Sequence, residues 1–297
     1  MSTRVTNLSI QTQALYNLQS HMGKMAKLND QMTTGRAFNK PSEDPTSTVT
    51  AMRVRADQRV NAQYERNVRD GKTWLDAADS AIQGSMDLLR KARDLTVQGS
   101  NTGSYGPSSL RAIASEVRAL SEGIRQQANT QVNGRNVFAG NSDAGEAFDA
   151  AGELAVAGGT VERRISGATT VRVDADGQAV YGTGTDSVFA TLNELATLLE
   201  TPDVNGADVS AYLGRIDDHL NSMTTQIAEV GTRYNQLIKA ESTLLDSRVS
   251  LEAQKNSVEN IDLAEATVRL TMQEVTYQAS LSATSRAVQP SLLDFLR

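Results

Sequence analysis

The chain has 297 residues with 29 Lys+Arg against 35 Asp+Glu, a formal charge of −6, and 39% hydrophobic but only 4% aromatic residues. That composition excludes wholesale disorder, and with abundant Ala, Leu, Gln, Ser and Thr it favours long amphipathic helices over a bulky α/β core. The absence of Cys removes disulfides, thiolate nucleophiles and Cys-ligated zinc, and two His, His21 and His219, are too few for a His-rich metal site.

The first element carries apolar residues in heptads: Leu8, Leu15 and Met22 form one row, and Leu18, Met25 and Met32 a second. This spacing predicts a coiled-coil-like helix with a narrow a/d seam. It ends at Thr34-Gly35, where glycine suits the left-handed position after a helix. In the loop GRAFNKPSEDP, Asp44 then Pro45 reads as N-cap and first position of the next helix.

From Thr46 to about Gln98, Met52, Ala56, Val60, Tyr64, Leu75, Ala78, Ile82, Leu89 and Ala92 keep helical spacing. Such a helix would be about 80 Å long at 1.5 Å per residue. The stretch GSNTGSYGPSS interrupts it, and Leu110, Ile113, Val117, Leu120 and Ile124 predict a third helix ending near Asn133-Gly134. Between about 137 and 187 glycines accumulate and the period falls to two. There TTVRVDADGQAVYG predicts a hairpin turning at Asp176-Gly177, inside a small inserted β-containing domain. Val188, Leu192, Leu195 and Leu199 give a short helix stopped before Pro202.

The last third reads as one long helix from Val209 through Leu237, Leu244, Leu251 and Val258. A further amphipathic stretch after Asn260 includes Val268, Leu270, Met272, Val275, Tyr277 and Leu281. The expected fold is therefore mainly α with a small β insertion, its N- and C-terminal segments forming a long antiparallel bundle or coiled coil. Five regions follow: 1–45, a coiled-coil helix and loop; 46–140, the first part of a helical rod; 141–204, β-rich; 205–258, the second part of the rod; and 259–297, a C-terminal assembly helix. A narrow Leu/Met seam buries one stripe only, so it needs a partner helix from the same chain or another copy.

Motifs that carry chemistry fare poorly. GKT at Gly71–Thr73 lacks the glycine five positions earlier, where Arg66 stands, and lies inside a helical pattern. Asp174-x-Asp176-Gly177 would put Thr183 where a calcium loop needs its bidentate Glu. Arg53, Arg55, Arg59, Arg66, Arg69 and Lys72 make a basic-leaning face, but Asp57, Glu65 and Asp70 interrupt it and only Tyr64 offers a stacking ring. A solvated or salt-bridged face is the simpler reading. His21 and His219 read as helix-flank residues, and carboxylate pairs such as Asp76/Asp79 show no pocket. No apolar run is long enough to cross a membrane, and the N-terminus lacks the apolar core of a secretory signal peptide. The expectation is no enzyme activity, no cofactor, no metal site, no nucleic-acid binding and no membrane insertion.

At the loop and the two termini the residues resemble the flagellin superfamily: LNDQMTTGRAFNKPSEDP, LLRKARDLTVQGSN, NGRNVFAG and the terminal SLLDFLR. PSEDP and NGRNVFAG look more like its hook-associated protein 3 members, which join hook to filament, than like its filament flagellins. The resemblance covers roughly 1–140 and 205–297 and leaves 141–204 without a matching motif. It implies a structural role, export through the flagellar type III apparatus with a cytoplasmic chaperone and without a cleaved signal, and an extracellular place at the hook–filament junction. The implied partners are further copies of the chain in a ring, a hook-associated protein on the hook side and flagellin on the other. It also implies terminal helices that order on assembly, with 141–204 facing outward. The assembly seams expected on this basis are Leu8, Leu15, Leu18, Met22, Met25 and Met32 with Leu237, Leu244, Leu251, Val258, Leu270, Tyr277 and Leu281. The alternatives are a filament flagellin and a cytoplasmic coiled-coil adaptor.

Overall fold

The computed structural model describes residues 7–101, 106–142, 145–149, 151–154, 159–202 and 204–288. The SLLDFLR motif at 291–297 lies outside the described residues, as does the side chain of Leu8. The protein is mainly helical, with helices α1 (Asn7–Thr34), α2 (Pro45–Ser100), α3 (Pro107–Ala128), α4 (Gly177–Tyr181), α5 (Val188–Glu200), α6 (Gly206–Glu259) and α7 (Leu263–Val288). Two small antiparallel strand pairs complete it: β1 (Gln131–Val132) with β2 (Arg135–Asn136), and β3 (Glu162–Arg164) with β4 (Thr170–Arg172).

Local chemistry sets the boundaries. Gly35 ends α1 at φ +69°, a conformation that costs other residues free energy. Asp44 caps α2, its Oδ1 accepting from the Ser47 amide at 2.9 Å, and Pro45 takes the first helical position, where no N–H is missed. That bond holds the Asp44 carboxyl below its usual range. Pro107 opens α3 in the same way, and Ser187 caps α5 by accepting from the Ala190 amide at 3.0 Å.

The chain divides into two compact units, residues 1–60 with 248–297, and residues 61–247. The second holds a continuous core. Trp74, Leu75, Ile82 and Leu89 of α2, Val117 and Ile124 of α3, Leu192, Leu195 and Leu199 of α5, and Ile216 and Met223 of α6 are all at most 2% exposed. Gly71 allows α2 to lie close to α6, because a Cβ there would stand 3.0 Å from Leu237 Cδ1 and from Val173 Cγ1. The GKT stretch is thus a helix-packing site in mid-α2, and Lys72 Nζ pairs with Glu241 at 3.0 Å. Four aromatic rings pack beside these helices. Tyr181 meets Phe138 and Phe148 edge-on at 5.2 and 5.4 Å between centroids, and Phe189 stacks on Tyr181 at 5.8 Å. The buried Tyr181 hydroxyl lies 3.0 Å from Ser85 Oγ, and burial pushes its pKa up.

Two local expectations change. Helix α3 stops at Ala128, earlier than Asn133-Gly134, because that pair forms the turn of the β1–β2 hairpin. Asn133 at φ +52° and Gly134 at φ +77° supply the two left-handed residues that a type I′ turn needs. Asn129 then fastens the following loop, its Oδ1 accepting from the Ala147 and Phe148 amides at 2.7 and 2.9 Å and its Nδ2 donating to the Phe148 carbonyl at 2.8 Å. NGRNVFAG is therefore a hairpin turn followed by the buried run Val137, Phe138 and Ala139.

Asp176-Gly177 is not a hairpin turn. Asp176 caps α4, accepting from the Gln178 and Ala179 amides at 3.1 and 3.3 Å. The strand Thr170–Arg172 pairs backward with Glu162–Arg164, turning at Ser166–Thr169, where Ser166 Oγ accepts from the Thr169 amide at 3.0 Å. Among the described residues, 141–204 consequently hold a three-residue strand pair together with α4 and α5, less strand than the period-two pattern of about 137–187 predicts.

Candidate assembly surface

The unit made by 1–60 and 248–297 is tied at one place by backbone. The α1–α2 loop and the α6–α7 connection run antiparallel, with Ala37 N donating to Glu259 O at 2.8 Å and Ile261 N donating to Gly35 O at 3.0 Å. Asn39 braces the loop: its Nδ2 donates to Asp30 Oδ2 at 2.8 Å, and its backbone N–H donates to Glu43 Oε2 at 2.9 Å. That amide lowers the pKa of Glu43. The Glu259 carboxylate accepts two 2.8 Å bonds from the Arg55 guanidinium and is held below the usual carboxylate range by them, while Arg55 is pushed up. Gln58 Nε2 reaches Glu252 at 2.8 Å, so this end of α2 meets the last turns of α6.

From the backbone bridge, α1 and α7 run antiparallel against each other. His21 marks the contact: Gln273 Nε2 lies 2.7 Å from its Nδ1. Apart from Gln31, which donates to the Ala37 carbonyl in the loop, the half-buried positions are Ala14, Leu18, His21, Met25, Leu28 and Met32 on α1, and Leu270, Gln273, Tyr277, Ser280 and Thr284 on α7. Both series alternate threes and fours, which is the coiled-coil spacing. Of the residues expected in the seam, Leu18, Met25, Met32, Leu270 and Tyr277 thus share the half-buried faces. Leu15 and Met22 do not, being 61% and 50% exposed, and Leu281 is 43% exposed. Ala14, His21 and Leu28 fill the second row where Leu15 and Met22 were expected. Leu251 and Val258 are half-buried on the last turns of α6, and Leu237 and Leu244 lie inside the core of the 61–247 unit, committed to this chain's own interior.

Much apolar surface stays bare. Among the described side chains of α1 and α7 only Ala266 is buried. Leu15, Tyr16 and Met22 on α1, Val49, Met52 and Val60 on α2, and Leu263, Val268, Met272 and Val275 on α7 are all at least 48% exposed. Exposed leucines scattered singly are ordinary, but Val268, Met272 and Val275 line one side of α7, the pattern of a surface made for contact.

The basic face of α2 is partly neutralised within the chain: Arg55 pairs with Glu259 and Lys72 with Glu241. His219 donates to or accepts from Thr191 Oγ1 at 3.1 Å, and burial pushes its pKa down. Among the described residues no three His, Asp or Glu side chains are grouped to hold a metal, and no helix is long and apolar enough to cross a membrane.

Paired terminal helices with bare apolar faces, in a chain that is mainly helical, are the marks of a structural protein. The comparisons agree. The bacterial flagellin N-terminal helical region matches residues 5–143, and the bacterial flagellin C-terminal helical region matches 213–296, together most of the chain. The chain belongs to the flagellin family. It is similar to a flagellin of Bacillus subtilis strain 168, 24% identical and covering 95% of this chain and 96% of that one. It is also similar to flagellar hook-associated protein 3 of Salmonella typhimurium strain LT2, 23% identical over 93% and 94% of the two chains. In structure it resembles a flagellar hook-associated protein from Vibrio parahaemolyticus, with a TM-score of 0.66 and 22% identity, covering 73% of this chain and all of the other. The protein is thus a structural component of the bacterial flagellum and not an enzyme.

Proposed function

We propose that the chain is a subunit of the hook–filament junction, of hook-associated protein 3 type, and assembles as a ring between a hook-associated protein and flagellin. The observation that carries this reading is the bare apolar surface on both helices of the α1–α7 pair, with Leu15, Met22, Val268, Met272 and Val275 at 50–67% exposure. Neighbouring copies cover this surface in the assembled ring, removing Leu, Met and Val side chains from water at about 25 cal/mol per Å². Leu18, Met25, Met32, Leu270 and Tyr277 hold the two helices together, and Leu8 and Leu281 extend the outer contact. Residues 1–45 and 259–297 are the assembling ends, and the chain reaches the cell exterior by type III export with a cytoplasmic chaperone and no cleaved signal peptide.

The test is deletion of the gene, with electron microscopy of the envelope and an assay for flagellin in the medium. Bare hooks with released flagellin are expected, because exported subunits find nothing to anchor to. Bare hooks without released filament protein would make the chain the flagellin itself, a reading favoured by its similarity to the Bacillus subtilis flagellin. Normal flagella would overturn both.

A further inference from the structure

The two units differ in charge. Residues 1–60 and 248–297 hold 13 Lys+Arg and 10 Asp+Glu, a net +3, whereas residues 61–247 hold 16 and 25, a net −9. Within the positive unit, the α1–α2 loop, the start of α2 and Glu259 line an open recess of about 170 Å³. Arg36, Lys40 and Arg55 line it, with Phe38 and Thr48 beside them. Glu259 is the single carboxylate in the wall, and both its oxygens are already engaged by Arg55. Among the described residues no carboxylate forms an ion pair with Arg36 or Lys40. The wall is also firmly built, since Ala37 N is bonded to Glu259 O and Asn39 to both Asp30 and Glu43. Arg36 and Lys40 act at a distance on Glu259 and Glu43 without pairing with either, so a recess lined by these two cations and an aromatic side chain suits a further carboxylate on a short apolar stem. Its volume leaves room for one such side chain.

We propose that this recess is a docking site for an Asp or Glu side chain of a second copy of the chain. The claim rests on the assembly reading above and adds to it the cationic contact that aligns the copies. The choice of occupant follows from charge: every copy carries an acidic unit of net −9 and a basic recess, so association of copies satisfies both, and it weakens as salt screens them.

The experiment is sedimentation velocity on the purified full-length chain over a range of concentrations, at about 0.05 M and about 0.5 M salt. The variants are Arg36→Glu/Lys40→Glu and, as a control of equal charge change on the exposed face of α2, Arg53→Glu/Arg59→Glu. The expected result is self-association weakened about tenfold or more at low salt for Arg36→Glu/Lys40→Glu only, with the wild-type salt dependence flattened. Arg36→Gln/Lys40→Gln, which adds no negative charge, is expected to weaken it in the same direction by less. Circular dichroism melting should match wild type for both. Wild-type association in the recess variants overturns the proposal, as does an equal loss in the control, which would make the effect one of overall charge. A wild-type chain that stays monomeric at every concentration also overturns it, whereas failure of the junction reading shows separately, in the flagella of the deletion strain.

Discussion

The two units use the same helical building blocks to opposite ends. Of the fifteen large hydrophobic side chains that stand exposed among the described residues, twelve belong to the 1–60/248–297 unit and three, Val97, Ile238 and Leu245, to the larger 61–247 unit. Among its described residues the smaller unit buries only Ala51, Val54, Glu259 and Ala266. The larger one has Trp74, four packed aromatic rings and leucines from four helices at or near zero exposure. Ordering a residue costs about 1–2 kcal/mol of backbone entropy, and full burial of a Leu returns about 1.5–3. A helix whose described side chains are at best half-buried cannot offset that alone, so stability in the smaller unit is left to be completed by contact. The lesson is that amphipathicity is common to both units, and the number of covered faces per helix separates a self-sufficient fold from an assembling one.

The sharpest way to break this contrast is to charge the bare face. Leu15→Asp with Met22→Asp is expected to abolish incorporation into the flagellum while leaving calorimetric unfolding of residues 61–247 unchanged. Normal filaments in that mutant would mean the exposed stripe has no neighbour. The converse test acts on the larger unit. Leu195, at 0% exposure in α5, becomes a cavity in Leu195→Ala, at a cost of about 2–5 kcal/mol. For a unit of this size that lowers Tm by about 5–15 °C. Protease susceptibility of α1 and α7 should not change, and a parallel rise would show that the two units unfold together.

A smaller effect is expected at Glu259. Its carboxyl is held low by the two bonds from Arg55, so its contribution is fully present above the unfolded carboxylate value and is lost as pH falls through the lowered folded one. Glu259→Gln should cost about 1–2 kcal/mol at neutral pH, kept modest because the Arg55 side chain is half in solvent. Proteolysis of the 1–60/248–297 unit from pH 7 down to about pH 3 should show wild type converging on the variant. Parallel curves would assign the stability of this junction to its backbone bonds instead.

How much of this was legible in the residues depends on whether the signal was local. Thr34-Gly35, Asp44-Pro45 and the helix from Val188 were readable because a cap or a proline states its own geometry. Asn133-Gly134 was ambiguous, since left-handed residues serve a helix end and a type I′ turn alike, and only the pairing of Gln131–Val132 with Arg135–Asn136 decides. Asp176 likewise serves a turn or an N-cap, and the strand it was expected to follow finds its partner upstream at Glu162–Arg164. Leu237 and Leu244 carry the same heptad spacing as the α1 residues, yet they face the chain's own core. Spacing reports that a side is covered and does not say by which molecule. The α1 residues divide for a related reason: hydrophobicity picks out Leu15 and Met22 alongside Leu18 and Met25, whereas the row that meets α7 includes the small Ala14 and the polar His21.

That polar row leads to the smallest predicted effect and the finest distinction between seam and outer face. A polar residue in a coiled-coil seam contributes little to stability but disfavours slipped registers, because a slip leaves it without its hydrogen-bond partner. His21 and Gln273 are such a pair, 2.7 Å apart. Substituting both by Ala should give a coupling of about 0.5–1.5 kcal/mol in a double-mutant cycle. His21→Leu should leave the helices paired, or pair them more strongly, while admitting a second register. The chain has no cysteine, so introduced pairs report without background. In the register set by His21 and Gln273, Met25→Cys should cross-link to Leu270→Cys and hardly to Tyr277→Cys, one heptad away. In the His21→Leu background the Tyr277→Cys product should appear. If the two backgrounds give the same cross-links, the leucine and methionine contacts alone hold the register and His21 is an ordinary seam residue. If the second product appears, one histidine fixes which heptad of α1 meets which heptad of α7, while the half-buried face and the exposed Leu15 and Met22 stay as they are.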